Sequence, residues 1–256
     1  MEKITNYSSV EHLISQIRVA KVYPLSIVEG FQSGEIFADD ADDPKTVFVW
    51  HSGGVAHLEG KYNEEMIREI RHLMSDPLPG HMDRLVLQAK TQDANMELFR
   101  NDTSVREGER FDFDLSDETM SDITVKDVSI ELITPGNYDR IKGRFIPSFY
   151  WESKEAFLKN GFGCIAVKDG VVAASAFAAA VSRKYVSIGV ETYEDLRGKG
   201  YGMAVSAAMV RESLKRGITP LWGCDVLNEA SRRLACLIGF KVTGTHPEYT
   251  LRGDGK

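Results

Sequence analysis

Apolar residues along the chain alternate between a helical and a strand period, and the switches predict an α/β (α+β) protein built on a mixed sheet. Val10, Leu13, Ile14 and Ile17 fall at helical spacing within Val10 to Ala20. Two apolar runs, Thr46 to His51 and Val55 to Glu59, flank Ser52-Gly53-Gly54 and predict a β-hairpin. Asn63 can cap a helix reaching about Ser75, ended by Pro77 and Pro79, and Arg84 to Ala89 reads as a strand. Further on, Val128 to Ile133 predicts a strand stopped by Pro135-Gly136, followed by helical stretches from Tyr138 to about Ile146 and from Trp151 to Lys159. Gly163 to Lys168 and Val171 to Val181 are strands joined by Asp169-Gly170, a hairpin turn pair, and Tyr185 to Glu191 is the next strand.

The C-terminal third carries the clearest pattern. After a glycine-rich loop, Met203, Ala207, Val210 and Leu214 share one helical face, with Lys215 and Arg216 in the last turn and Gly217 placed to cap it. A strand containing Leu221-Trp222, a second helix and a last strand follow. The chain becomes polar around Ser121 to Asp127, which predicts two domains, 1–125 and 126–256. Acidic clusters at Asp39 to Asp43 and Asp112 to Asp122 are expected to be solvated loops.

Composition narrows the function more than the fold. A net charge of -7 argues against nonspecific nucleic-acid binding, which needs clustered Lys and Arg. Cys164, Cys224 and Cys236 form no CxxC pair, and the six histidines show no HxxxH spacing, so neither a disulfide framework nor a metal site is expected. The first twenty residues, with Glu2, Lys3, Glu11, His12 and Arg18, lack the apolar core of a signal peptide, and Val171 to Val181 is too short to span a bilayer. A cytoplasmic protein without membrane partners is expected, and nothing opposes a homodimer.

The chemistry is concentrated in Ser187-Ile188-Gly189-Val190-Glu191-Thr192 and Arg197-Gly198-Lys199-Gly200-Tyr201-Gly202. Glycines that open a helix let backbone amides approach an anion, and the helix N-terminus adds about half a positive charge. A diphosphate suits such a place. The loop is neither GxxxxGK[ST] nor the dinucleotide fingerprint, and a turn that merely permits tight strand–helix packing explains the glycines equally well.

Arg197-x-x-Gly200-x-Gly202 resembles the (Gln/Arg)-x-x-Gly-x-(Gly/Ala) signature of the GCN5-related N-acetyltransferase (GNAT) superfamily. Downstream, Asn228, Ser231, Leu234 and Gly239-Phe240 resemble its later motif, behind the Leu221-Trp222 strand. The resemblance covers about residues 128 to 252 and extends to the two-domain GNAT subgroup that includes zwittermicin A resistance-type acetyltransferases. It implies acetyl-CoA as co-substrate and a small-molecule amine as acceptor. It implies a sheet that splays after Tyr185 to Glu191, with the backbone of Val190, Glu191 and Thr192 holding the pantetheine arm. The amides of Arg197, Gly198, Lys199, Gly200, Tyr201 and Gly202 would hold the diphosphate, with Asn228 and Ser231 beside the arm. The 1–125 domain would be a degenerate copy of the fold or a substrate-shaping part that does not bind the coenzyme.

Direct attack of an amine on a thioester needs a base, for which Glu191 and Asp225 are the candidates. Backbone donors at Val190 or Thr192 would stabilise the oxyanion. Many relatives place a tyrosine seven residues after the motif Asn as acid to the leaving sulfur; this chain has Ala235 there, leaving Tyr201, Tyr249 or water. The missing tyrosine keeps open a non-catalytic acyl-CoA-binding or sensing module. The loop alone also leaves open a nucleotide-phosphate-binding α/β enzyme.

Overall fold

The computed structural model describes residues 1–75, 84–88, 105–116, 123 and 125–252. The chain divides into two compact units, Met1–Arg110 with Thr245–Lys256, and Phe111–Gly244. In chain order the elements are β1 (Glu2–Lys3), α1 (Glu11–Ile14), α2 (Val22–Val28), β2 (Gly34–Ala38), β3 (Thr46–His51), β4 (Val55–Gly60), α3 (Glu64–Ser75), β5 (Arg84–Gln88) and β6 (Val105–Leu115). They continue with β7 (Ser129–Leu132), α4 (Lys154–Asn160), β8 (Gly163–Lys168), β9 (Val171–Val181), β10 (Tyr185–Thr192), α5 (Tyr201–Lys215), β11 (Thr219–Asp225), α6 (Glu229–Leu237) and β12 (Phe240–Arg252).

The first unit's strands run in the order β1-β2-β3-β4-β5-β12. Strand alternation divides its core in two. Phe48 and Trp50 on β3 pack with Ile67 and Ile70 of α3, Leu85, Leu87 and Tyr249. Val47 and Val49, pointing the other way, pack with Leu13, Ile14 and Ile27 of α1 and α2. Neighbouring strands are antiparallel except β4 and β5, which are parallel across α3. The strand that completes this sheet beside β5 comes from the other end of the chain: Glu248–Arg252 of β12 pairs with Gln88–Arg84.

In the second unit the order is β6-β11-β10-β9-β8-β7. β7 to β10 are antiparallel neighbours, and β10 and β11 are parallel across α5. The alanine-rich β9, with Ala173, Ala174, Ala176 and Ala178 to Ala180 buried, presents little side-chain bulk to its surroundings, and α5 buries Ala204, Val205, Ala207 and Val210. Phe145, Tyr150 and Phe177 form a second cluster, and Trp151 Nε1 donates to the Ala178 carbonyl at 2.8 Å. The pairing pattern of the first unit therefore recurs: four antiparallel strands, a helix, and a parallel strand.

Several expectations require correction. The expected boundary at 125/126 falls inside the second unit, and the division instead passes through β6 and β12. Asp112 and Asp114 lie on a strand, not in a loop, because they alternate with Phe111 and the buried Phe113 on β6. Residues 138–146 make only a 3-10 turn at Tyr138–Arg140, since Gly143 adopts φ 125, outside any right-handed helix. Val10 to Ala20 likewise contains only the short α1, while α2, β1, β2 and β6 were not anticipated. Pro77, Pro79 and, in the polar stretch, Ser121, Asp122 and Thr124 lie outside the described residues.

Candidate active site

β10 leaves its parallel partner midway. Tyr185, Val186 and Ser187 pair with Thr219, Pro220 and Leu221, and the pairing ends there although both strands continue. Its other partner, β9, stays in register to Thr192↔Ala174, with a bulge between Ser187 and Ile188. Bulges raise local twist, and this one sits where β10 diverges. The backbone of Val190 to Thr192 thus faces a gap on the β11 side while held by β9 on the other, as the predicted splaying requires.

Beyond the gap lies the glycine-rich loop. Gly198 (φ 75) and Gly200 (φ 84) both take the left-handed conformation that disfavours a side chain. A Cβ at Gly202 would come within 2.6 Å of Thr192 Oγ1, so the third glycine lets the start of α5 approach the end of β10. Gly200 caps α5 without a side-chain hydrogen bond. The backbone amides of residues 198–203 have no acceptor among the described residues. Helix-start amides in search of an acceptor, at the positive end of a fifteen-residue helix, make an anion cradle.

A cleft of about 510 Å³ joins these parts, lined from β10, the loop and α5 by Val190, Glu191, Thr192, Arg197, Gly198, Gly200, Tyr201, Gly202 and Met203. Trp222 of β11 and Asn228, Ala230, Ser231 and Leu234 around α6 complete it, all within the second unit. Asn228 Oδ1 accepts from the Ser231 amide at 3.0 Å and so caps α6, and Ser231 Oγ accepts from Trp222 Nε1 at 3.1 Å. Trp222 is 5% exposed and stacks at a tilt on Phe240, yet it walls the cleft. Core packing and cleft wall are one role for this residue.

Three predicted residues stand outside the lining. Lys199 turns its ammonium to the Asp195 carbonyl at 3.3 Å. Asp225, a candidate base, closes the turn before α6: its Oδ1 accepts from the Leu227 amide at 2.8 Å and its carbonyl from the Asn228 amide at 2.9 Å. Tyr249 is fully buried in the first unit's core and is no part of this cleft. Ala235 is fully buried as well. Arg197 does not stand free as an anion ligand: Nε donates to the Thr192 carbonyl at 3.1 Å, and Nη2 lies 3.5 Å from Glu191 Oε1. Glu191 keeps a side chain 13% exposed in the gap. Met203, Ala230 and Leu234 were not anticipated as lining residues; Leu234 carried a signal, as a motif position.

The first unit repeats the pairing pattern without the cradle. Its α3 begins at Glu64 and Glu65, and Asn63 Oδ1 accepts from the Met66 amide at 3.1 Å. Carboxylates there oppose an incoming anion, and the cap already uses one helix-start donor.

A splayed parallel strand pair and a glycine cradle at a helix start thus meet in one α/β cleft. A family model described as GNAT acetyltransferase matches residues 12–249, and the chain belongs to that family and is an N-acetyltransferase by class. It is 22% identical over 261 residues to an uncharacterized N-acetyltransferase, YdfB, of Bacillus subtilis, covering 97% of this chain and 96% of that one. A GCN5-related N-acetyltransferase-like protein from Streptococcus suis shares the fold with a TM-score of 0.75 at 21% identity, covering 96% of this chain and 98% of its own. A tandem GNAT protein from the clavulanic acid biosynthesis pathway shares it with a TM-score of 0.58 at 11% identity, covering 93% and 90%. Among the described residues no helix is long and apolar enough to cross a membrane.

Proposed function

We propose that this protein transfers an acetyl group from acetyl-CoA to the amine of a small molecule by direct attack on the thioester. The observation that carries the reading is the single cleft in which the unpaired edge of β10, the amides of residues 198–203 and the Trp222–Ser231–Asn228 wall meet. The residues present fit the coenzyme: donors without acceptors suit a diphosphate, and an open strand edge suits the amide-bearing pantetheine. Acetyl-CoA would supply the acetyl thioester.

Glu191 then acts as base. An ammonium acceptor gives up one proton to become nucleophilic. Its nitrogen forms the amide bond, the carbon–sulfur bond breaks with its electrons on sulfur, and one of the two protons lost from nitrogen ends on the thiol while the other is released. Arg197, tied to Glu191 and Thr192, holds the carboxylate against the gap. Tyr201, lining the cleft at the first position of α5, is the hydroxyl available to the sulfur in place of the buried Ala235. The first unit serves as a degenerate copy that binds no coenzyme.

Titration calorimetry with acetyl-CoA, followed by a thiol-release screen over amines, tests this reading. Submicromolar to micromolar binding with acceptor-dependent thiol release is expected. Binding without release from any acceptor favours a sensing module, the reading Ala235 supports, and absence of binding removes the proposal.

A further inference from the structure

The segment between β7 and α4 approaches the candidate base closely. Gly143, at φ 125, brings its main chain so near that a Cβ there would lie 3.0 Å from Glu191 Cγ and 3.5 Å from Cδ. Tyr193, two residues beyond Glu191, clasps that segment: its hydroxyl accepts from the Lys142 amide at 2.6 Å and donates to the Arg140 carbonyl at 3.3 Å. Burial raises the pKa of this hydroxyl, the Lys142 amide acting in the opposite sense, so it stays protonated and able to donate. The clasp explains why the segment abandons the helix its sequence predicts.

Its charges are unevenly compensated. Asp139 pairs with Lys154, and Arg140 Nη2 donates to the Gly170 carbonyl at 2.9 Å. Lys142 and Arg144, which flank Gly143, are exposed, and neither side chain has a hydrogen bond or ion pair among the described residues. Two cations with no partner among the described residues thus flank Gly143, the residue whose main chain lies against Glu191.

We infer that the acceptor is a small amine that also carries an acidic group, a carboxylate or a phosphate, engaged by Lys142 and Arg144 while its amine faces Glu191. Ammonium and guanidinium groups both suit such oxyanions, the guanidinium bidentately. The same pair disfavours a polyamine or aminoglycoside, whose further ammonium groups would meet like charge. This inference rests on the acetyltransfer reading above.

The test compares matched acceptors by thiol release: amino acids against their carboxamides, and phosphoethanolamine against ethanolamine. The acid-bearing member of at least one pair is expected to show kcat/KM about tenfold higher, the size of two exposed charge contacts, and the preferred pair identifies the group. K142A/R144A is expected to remove that preference, mainly through KM, while acetyl-CoA affinity by calorimetry stays within about twofold. Turnover that ignores the acidic group, or a preference that survives in the double variant, overturns the inference and leaves the acetyltransfer reading standing. Coenzyme binding with no release from any amine overturns both.

Discussion

Gly200 and Glu191 carry the two separable halves of the chemistry. Gly200 holds φ 84 and opens α5, and asparagine and aspartate are the side chains that best tolerate that conformation. Both would meet Val125 Cγ2 at about the 3.2 Å that an added Cβ finds, so G200N and G200D share any steric cost and differ in charge. G200D is expected to bind acetyl-CoA at least about tenfold more weakly than G200N in titration calorimetry, because a carboxylate opposes a diphosphate at the cradle. Equal affinities would mean that no diphosphate lies at Gly200. For Glu191, E191Q keeps the shape beside Gly143 and Arg197 but cannot take a proton. Its kcat is expected to fall by about a hundredfold or more, with coenzyme affinity changing far less, as single-turnover thiol release would report.

Helix α6 shows how one element serves both stability and the cleft. Asn228 caps it through the Ser231 amide, and Ser231 in turn receives the Trp222 indole. N228A is expected to cost about 1 kcal/mol in urea unfolding and to weaken acetyl-CoA binding as well. A purely structural cap would change the first without the second. At this scale the sequence was informative where structure is local. The Asp169-Gly170 hairpin, with φ 49 and 78 at its two residues, the α5 cap at Gly217 and the Asn63 cap of α3 are written in adjacent residues. The predicted glycine loop and the Asn228 and Ser231 positions line the cleft for the same reason. What was hidden depends on residues far apart in the chain. Tyr193 reaches back across about fifty residues to hold Lys142 out of a helix, which no local period records. α2 escaped notice because Pro24 sits in its first turn, where proline is tolerated although it reads as a breaker. β6 was masked by its aspartates, whose alternation with Phe111 and Phe113 was outweighed by their charge.

Over the whole molecule, two features make testable demands. His57 on β4 is 1% exposed, its Nε2 3.1 Å from the Val19 carbonyl and its Nδ1 without a partner among the described residues. Burial pushes its pKa down from 6.5 to about 3, with His246 acting in the same direction and the Val19 carbonyl against it. Between those values the unfolded chain binds a proton that the folded chain refuses, so stability rises with pH there and is lost as pH falls from about 6.5 toward 3. H57Q is expected to flatten that slope relative to wild type, by at most about 1.4 kcal/mol per pH unit, in denaturant melts at pH 4 to 7. The second demand concerns the division of the chain. A fragment ending at residue 125 would lack Glu248–Arg252, the strand beside β5, and with it Tyr249 and Leu251 from the core around Trp50 and Leu85. Such a fragment is expected to show no cooperative melt by circular dichroism, whereas a cut respecting an independent N-terminal domain would yield one.

The route of β12 also bears on biogenesis. During synthesis β5 emerges from the ribosome well before the segment that pairs with it, so it must wait with one edge open until Glu248–Arg252 has been made. Edges of that kind invite intermolecular pairing, and a nascent chain in this condition is a natural client for chaperones that shield extended segments.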